Sequence, residues 1–424
     1  MVDLRTCYGR FAYFWSVVIR HLRPKIEEAL RDTPVVFIRG ARQTGKSTLA
    51  KQLLAKEARY VTFDDDTIRA AARLDLKQFV RQLPSGSVID EVQRVPELFT
   101  TLKLVVDEDR RPGRLILTGS ADVAAIPTVA ESLAGRVESF TLRPFSASEL
   151  LGVASNFIER IFSEDALEVQ TIPHSRDSLS ERLSLGGFPE VIGRRSGARR
   201  AAWFDAYLET IVQRDINVIA EIEGLQALPR MLELLAHRSG SILNQAELSR
   251  ALGLPTTTSR RYLALLQATF LIDLLPAWSN NSTVRLRKAP KVIVADSGLI
   301  ASLRDEPVDM QQQLRDGSLL ESFVIAELQK LASWSDLRLR MSHYREERSY
   351  EVDVVLTRGR RQTVGIEIKA SSTLSTADAK GLLRLGEKCQ TPYYRGILLY
   401  GGDEVLPFGK NVWAVPLAAL WYGL

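Results

Sequence analysis

Short apolar runs that stop at a glycine or a pair of acids set the rhythm of the first third of the chain. Pro34-Val35-Val36-Phe37-Ile38-Arg39 is rich in β-branched residues and ends at Gly40; Lys46 to Lys56 is then rich in Leu, Ala and Lys. A buried strand, a loop and a helix are expected. Tyr60-Val61-Thr62-Phe63 before three aspartates, Ser87-Val88-Ile89 before Asp90-Glu91, and Arg114 to Ser120 predict further parallel strands. Such alternation of strand and helix predicts an α/β, doubly wound sheet.

The pattern then changes. From Gly152 to Leu185 the chain is polar without a clear period, as expected for an insertion or a connection to a lid. Gly186 to Pro189 reads as a turn serving as a structural hinge. Trp203 to Val212 has helical spacing and predicts a helix packed on the core, with Arg214 and Asp215 after it; Arg214 either reaches nucleotide from a lid or forms an ion pair with an acid such as Asp215. Asn244 to Leu252, the turn Gly253-Leu254-Pro255, Thr256 to Ala268 and a strand over Thr269 to Leu275 predict a winged-helix-like module. Thr256 to Arg261 there are residue types that meet phosphates and base edges, while Tyr262, Leu265 and Leu266 equally suit a packed spacer. Further on, Leu319 to Ala332 predicts a helix, and Glu351 to Leu356 and Thr363 to Lys369 predict strands joined by a turn over Arg358 to Arg361.

A chain of 424 residues is too long for one ordinary core and implies several domains. The net charge of +5 is small for that size, so charge matters where it clusters: Arg194-Arg195 with Arg199-Arg200, and Arg285 with Arg287 and Lys288. Cys7 and Cys389 neither staple a fold nor make a zinc site, which points to a reducing, cytoplasmic setting. Phe11 to Ile19 is an apolar stretch of nine residues, short of the about 20 a membrane helix needs. An amphipathic helix packed on the core is expected there, with Met1 to Phe14 an over-extension of the reading frame.

Gly40-Ala41-Arg42-Gln43-Thr44-Gly45-Lys46-Ser47 matches G-x-x-x-x-G-K-[ST] between a strand and a helix. Gly40 and Gly45 let backbone N–H groups turn inward, and the helix start adds partial positive charge, so residues Gly40 to Thr48 form a cradle for the phosphates of ATP. Lys46 neutralises the β- and γ-phosphates and the Ser47 hydroxyl ligates Mg2+. Asp90 supplies the metal-side carboxylate and Glu91 polarises the attacking water. Thr118 and Ser120 face the same crevice and are candidates to sense the γ-phosphate. Two readings stand for Arg136: an arginine finger reaching a neighbouring subunit of a homo-oligomer, or a surface arginine paired with an acid such as Glu138.

The chain resembles the bacterial and archaeal ATPases of the AAA superfamily whose C-terminal domain is of unknown function. The resemblance rests on Gly40 to Leu49, Ile89 to Leu98, Leu117 to Ala121, Ser132 to Arg136 and Arg143-Pro144-Phe145-Ser146. It continues through Gly186-Gly187-Phe188-Pro189-Glu190, Gln213 to Ile216, Lys288-Ala289-Pro290-Lys291, Asp296-Ser297-Gly298-Leu299 and Leu320 to Val324. It implies an AAA-type ATPase core, without a substrate.

The last segment is similar to the PD-(D/E)XK nucleases in element order from Leu319 to Leu399. Alternation puts Glu367 and Lys369 on one strand face, and a hairpin brings Asp353 beside them. Two carboxylates then hold a divalent ion, Mg2+ or Mn2+, while the lysine positions water. Glu321 corresponds to the helix acid of that family, and Glu351 stands where its proline is common. The expected organisation is an extension over 1–20, the P-loop core over 21–150, an insertion and helical lid over 151–235, a winged-helix-like module over 236–280 and the nuclease-like domain over 281–424. The expected activity is ATP hydrolysis in the service of nucleic-acid processing, DNA foremost. The alternative is a regulatory ATPase acting on a protein partner, with the terminal domain a catalytically inactive binding module.

Overall fold

The computed structural model describes residues 18–122, 134–173, 176–216, 227–280, 288–304, 317–346 and 350–424, without the side chains of 176–178, 214 and 215. The expectations for Phe11 to Val17, Ser132, Leu133, Arg285 and Arg287, and for the side chains of Arg214 and Asp215, lie outside the described residues.

Five parallel strands form the first sheet: β1 (Val35–Arg39), β2 (Tyr60–Thr62), β3 (Ser87–Asp90), β4 (Leu115–Gly119) and β5 (Val137–Thr141), in the order β2-β3-β4-β1-β5. Parallel strands covered on both faces should be apolar throughout, and β1, β3 and β4 are almost entirely buried. The phosphate-loop strand β1 is flanked by β4 and β5, so the carboxyl ends of β1, β3 and β4 open into one crevice.

The helices Gln245–Leu252 and Thr256–Ala268 form as expected, the first capped by the Asn244 side chain. They lead into β7 (Ile272–Leu275), which pairs antiparallel with β8 (Lys291–Val294). This pair joins the module expected over 236–280 to Lys291–Val294, in the segment expected to open the terminal domain. The module is fixed to the core by a double contact of Arg143 with Asp273, at 2.7 and 3.3 Å.

A second sheet of seven strands closes the chain. Its members are β6 (Gln170–Thr171), β9 (Arg340–Glu346), β10 (Tyr350–Arg358), β11 (Gln362–Lys369), β12 (Tyr393–Tyr400), β13 (Glu404–Gly409) and β14 (Val412–Pro416), in the order β6-β13-β14-β12-β11-β10-β9. β9, β10 and β11 are antiparallel neighbours, while β11, β12 and β14 run parallel. The strand β6 comes from the 151–235 segment and pairs antiparallel with β13 at the edge of the terminal sheet. The helix Gly317–Trp334 buries Leu320, Val324, Leu328 and Leu331 and reaches from this sheet towards the first. No helix among the described residues is long and apolar enough to cross a membrane.

Candidate functional site

The phosphate loop has the backbone its sequence demands. Gly40 has φ +151, and a Cβ there would collide with the Leu142 carbonyl; Gln43 and Gly45 also have positive φ, and Gly45 starts the helix Lys46–Gln52. The Lys46 ammonium donates to the Ala41 carbonyl at 2.8 Å, folded over the loop in which phosphates would sit. Asp90, at the end of β3, accepts from Ser47 Oγ at 3.1 and 3.2 Å and from the hydroxyls of Tyr60 and Thr118. Thr118 therefore positions the acid, while Ser120 sits beyond it: Gln93 Nε2 donates to Ser120 Oγ at 2.8 Å and also to Glu91.

Glu91 takes a left-handed backbone, φ +58, at the strand end. Burial raises its carboxyl pKa, Asp90 adding to the effect and Lys46 opposing it. A carboxyl with a raised pKa, aimed from the strand end at the phosphate loop, suits a general base. These groups fit ATP with Mg2+: a cradle of backbone donors, one lysine, and a hydroxyl and a carboxylate already in contact. Mg2+, when bound, supplies charge neutralisation and orientation of the phosphates; Ser47 and Asp90 are the residues that would hold it.

Above the loop lies a cavity of about 350 Å3 lined by the phosphate loop, Gln52, Glu91, Arg20, Phe145, Pro189 and Glu190. The turn expected over Gly186 to Pro189 brings Pro189 and Glu190 to the cavity wall. The turn has no spare room. Gly186 has φ +66 and a Cβ there would strike the Asp296 carboxylate, which accepts the Gly187 N–H at 2.8 Å. Phe188 packs against Trp203, Phe204 and Tyr207, and the Tyr207 hydroxyl donates to the Arg42 carbonyl at 3.2 Å.

Phe145 is the other wall. The Arg20 guanidinium lies 4.5 Å from its ring centroid, its N–H donates to the Gly187 carbonyl at 2.8 Å, and its carbonyl accepts from Lys330 at 3.0 Å. Glu327, paired with Lys330 at 2.7 Å, accepts the Ala147 N–H at 2.8 Å. The nucleotide wall is thus gripped by two buried charges from the helix Gly317–Trp334. Nothing in the sequence signalled this, because Glu327 and Lys330 look like ordinary charges at helical spacing.

The same helix carries Glu321 into the second group of acids. Asp353 on β10 lies beside β11: its Oδ2 accepts the Ile368 N–H at 3.0 Å, and Lys369 donates to Glu367 Oε1 at 2.9 Å. What the sequence missed is Lys291. Its ammonium, on a side chain 2% exposed, stands 2.7 Å from Glu321, 3.0 Å from Glu351 and 3.3 Å from Asp353. Burial would lower its pKa, but Asp353, Glu321 and Glu351 overcome that and the net shift is upward. Burial, and next the Asp353 charge, raise the carboxyl pKa of both Glu321 and Glu367. Among the described residues no three His, Cys, Asp or Glu are placed to hold a metal ion. The expected divalent ion on Glu321, Asp353 and Glu367 does not fit this arrangement, because an ammonium already bridges the first two.

Arg136 is on neither wall. It makes a double ion pair with Asp107, at 2.7 and 2.8 Å, in place of the Glu138 pairing suggested by proximity in sequence.

Fold and phosphate-loop geometry together define a nucleotide-binding AAA domain, and a family model described as "AAA domain" matches residues 32–151. Two domains of unknown function, DUF8612 and DUF4143, match residues 176–310 and 316–420. The chain is 31% identical over 403 residues to the uncharacterized proteins Mb2031c of Mycobacterium bovis and Rv2008c of Mycobacterium tuberculosis, covering 94% of this chain and 83% of each relative. It belongs to their family, AAA-domain proteins, a class that binds ATP with Mg2+.

Proposed function

We propose that this protein hydrolyses ATP at the phosphate loop and uses the occupancy of that site to set the position of the terminal domain and of the middle module seated on it, which engages nucleic acid. The observation that carries this is the shared wall: Phe145 borders the nucleotide cavity and bonds Lys330 of the terminal helix at 3.0 Å. Any shift of the wall on nucleotide binding is felt by that helix, since two buried hydrogen bonds, Lys330 to the Phe145 carbonyl and the Ala147 N–H to Glu327, join the two. In the hydrolytic step Lys46 draws charge from the terminal phosphates, and Glu91 takes a proton from the attacking water. Gln93 holds that carboxylate in place, and Asp90 is kept in register by Ser47, Tyr60 and Thr118.

Nucleic acid is favoured over a protein partner by the helix Thr256–Ala268. Thr256, Thr257, Arg260 and Arg261 are exposed along its start, while Ser259, Tyr262, Leu265 and Leu266 face inward. One helix therefore serves both readings, a packed face and a polar basic face suited to phosphates. Cleavage by Asp353, Glu367 and Lys369 is a second reading, favoured by the pairing of Glu367 with Lys369 on one strand face; no step through a metal follows from the present arrangement.

The test combines phosphate release with fluorescence anisotropy on single- and double-stranded DNA, with and without ATP. Wild type is expected to hydrolyse ATP and to bind DNA with an affinity that changes with ATP. Lys46→Ala should abolish the first and the dependence, and Arg260→Ala with Arg261→Ala should weaken binding alone. Hydrolysis without DNA binding in any nucleotide state removes the nucleic-acid half and leaves the protein-partner reading.

A further inference from the structure

The run Lys288-Ala289-Pro290-Lys291 takes no part in the nucleotide site, yet it delivers a lysine into the acidic centre of another domain. The delivery is fixed on both sides. The Leu243 N–H donates to the Pro290 carbonyl at 2.8 Å, the His343 ring approaches the Ala289 carbonyl at 3.2 Å, and Lys288 Nζ donates to the Arg345 carbonyl at 3.1 Å. Gly240 leaves no slack beneath: a Cβ there would lie 3.2 Å from Glu321 Oε2. Strand β8 is thereby seated against the terminal domain with its first side chain inserted.

We propose that Lys291 is the resident cation of this acidic group, a tethered ammonium in the place where a divalent ion would bridge Glu321 and Asp353, so that the terminal domain takes up no such ion while β8 is seated. Both oxygens of Asp353 are engaged, Oδ1 by Lys291 and Oδ2 by the Ile368 N–H. Glu367 Oε1 is engaged by Lys369, and Glu367 Oε2 is buried with no hydrogen-bond partner among the described residues. An ion bridging Glu321 and Asp353 must therefore first displace an ammonium that is covalently held, pointed inward and contacted by three carboxylates from two elements. Four carboxylates, Glu321, Glu351, Asp353 and Glu367, face two ammonium groups, Lys291 and Lys369. Withdrawing Lys291 leaves Glu321 and Asp353 facing one another with no cation between them, a place that a divalent ion with oxygen ligands can take. The terminal domain is a lysine-closed site, and its opening requires β8 to part from β10 and the helix Gly317–Trp334. The readout is ion binding, so this stands or falls separately from ATP hydrolysis and DNA binding.

The experiment is a nucleotide-free Mn2+ titration of the full chain, followed by the electron paramagnetic resonance of unbound Mn2+. Wild type, Lys291→Arg and Lys291→Met are compared, each with and without Asp353→Asn. Wild type and Lys291→Arg should show no Mn2+ uptake that Asp353→Asn removes. Lys291→Met should gain one such site, at least tenfold tighter than any in the wild type. Asp353-dependent uptake by the wild type overturns the proposal, as does a folded Lys291→Met chain that gains none. Should Lys291→Met fail to fold, the first two chains still decide: uptake by either overturns the proposal, and its absence in both, with Lys291→Arg folded, supports it.

Discussion

Lys330 donates to the Phe145 carbonyl at 3.0 Å, and through that bond the helix of the terminal domain holds the wall of the nucleotide cavity. Both Lys330 and its partner Glu327 are buried. Removing one member of such a pair leaves the other charge unpaired in the interior. Lys330→Met should cost about 3–5 kcal/mol of stability, read as a fall in thermal midpoint. The double change Glu327→Gln with Lys330→Met should recover much of that loss while ATP no longer alters DNA binding. A double variant that keeps full coupling would remove the clasp from its role.

Glu91→Gln should keep ATP bound and slow hydrolysis by about 10²–10⁴-fold, the usual contribution of a general base. Gln93 is informative in another way. Its hydrogen bond lowers the Glu91 pKa, against the upward pull of burial. Gln93→Ala should therefore move the acidic limb of the turnover profile to higher pH, since the carboxylate must be ionised to take a proton. A profile left in place would separate Gln93 from the base.

His343 is buried, with its Nε2 3.2 Å from the Ala289 carbonyl, which suits a neutral ring bearing its proton on Nε2. Burial and then the Lys291 charge push its pKa from 6.5 down to about 4. Between those values the unfolded chain binds the extra proton, so stability from this group is present above 6.5 and lost as pH falls towards 4, by about 3 kcal/mol in full. Glu321 and Glu367, with raised pKa values, act in the opposite sense and lose stability as pH rises. Comparing His343→Gln with wild type isolates the histidine: its urea midpoint should fall less steeply between pH 7 and 4.5. Parallel slopes would contradict a neutral buried ring.

Arg136 tests assembly. Held by Asp107 within the chain, it must leave that pair to reach a neighbour's nucleotide. If it does, Arg136→Ala lowers turnover at least tenfold, and only at protein concentrations where light scattering shows an oligomer. Equal turnover of variant and wild type at every concentration assigns Arg136 to the Asp107 pair alone.

What could be read in the sequence was what is contiguous in it. Gly40 to Ser47 carry their own geometry, and Asp90-Glu91 end a strand whose apolar run announces it. Glu367 and Lys369 share a face by strand alternation, two residues apart. Contacts across long separations were silent. Lys291 meets Glu321 and Asp353 across 30 and 62 positions, and Lys330 meets Phe145 across 185. In the sequence each is one more lysine, because only the fold removes the solvent that such a side chain ordinarily keeps. Pro189 and Glu190 escaped for a related reason: two glycines marked the turn, but only the packing of Gly186 on Asp296 and of Phe188 on Tyr207 carries it to the cavity.

In the proposed function, nucleotide occupancy reaches the terminal domain through the Phe145 wall. The decisive measurement is hydrogen exchange of the Glu91→Gln chain, with and without ATP and Mg2+. ATP should slow exchange in the phosphate loop and over residues 143–149 and 186–190, and alter it in the helix Gly317–Trp334. In the added Glu327→Gln, Lys330→Met background the last effect alone should vanish. ATP protection confined to the phosphate loop, with the helix unchanged, would contradict it.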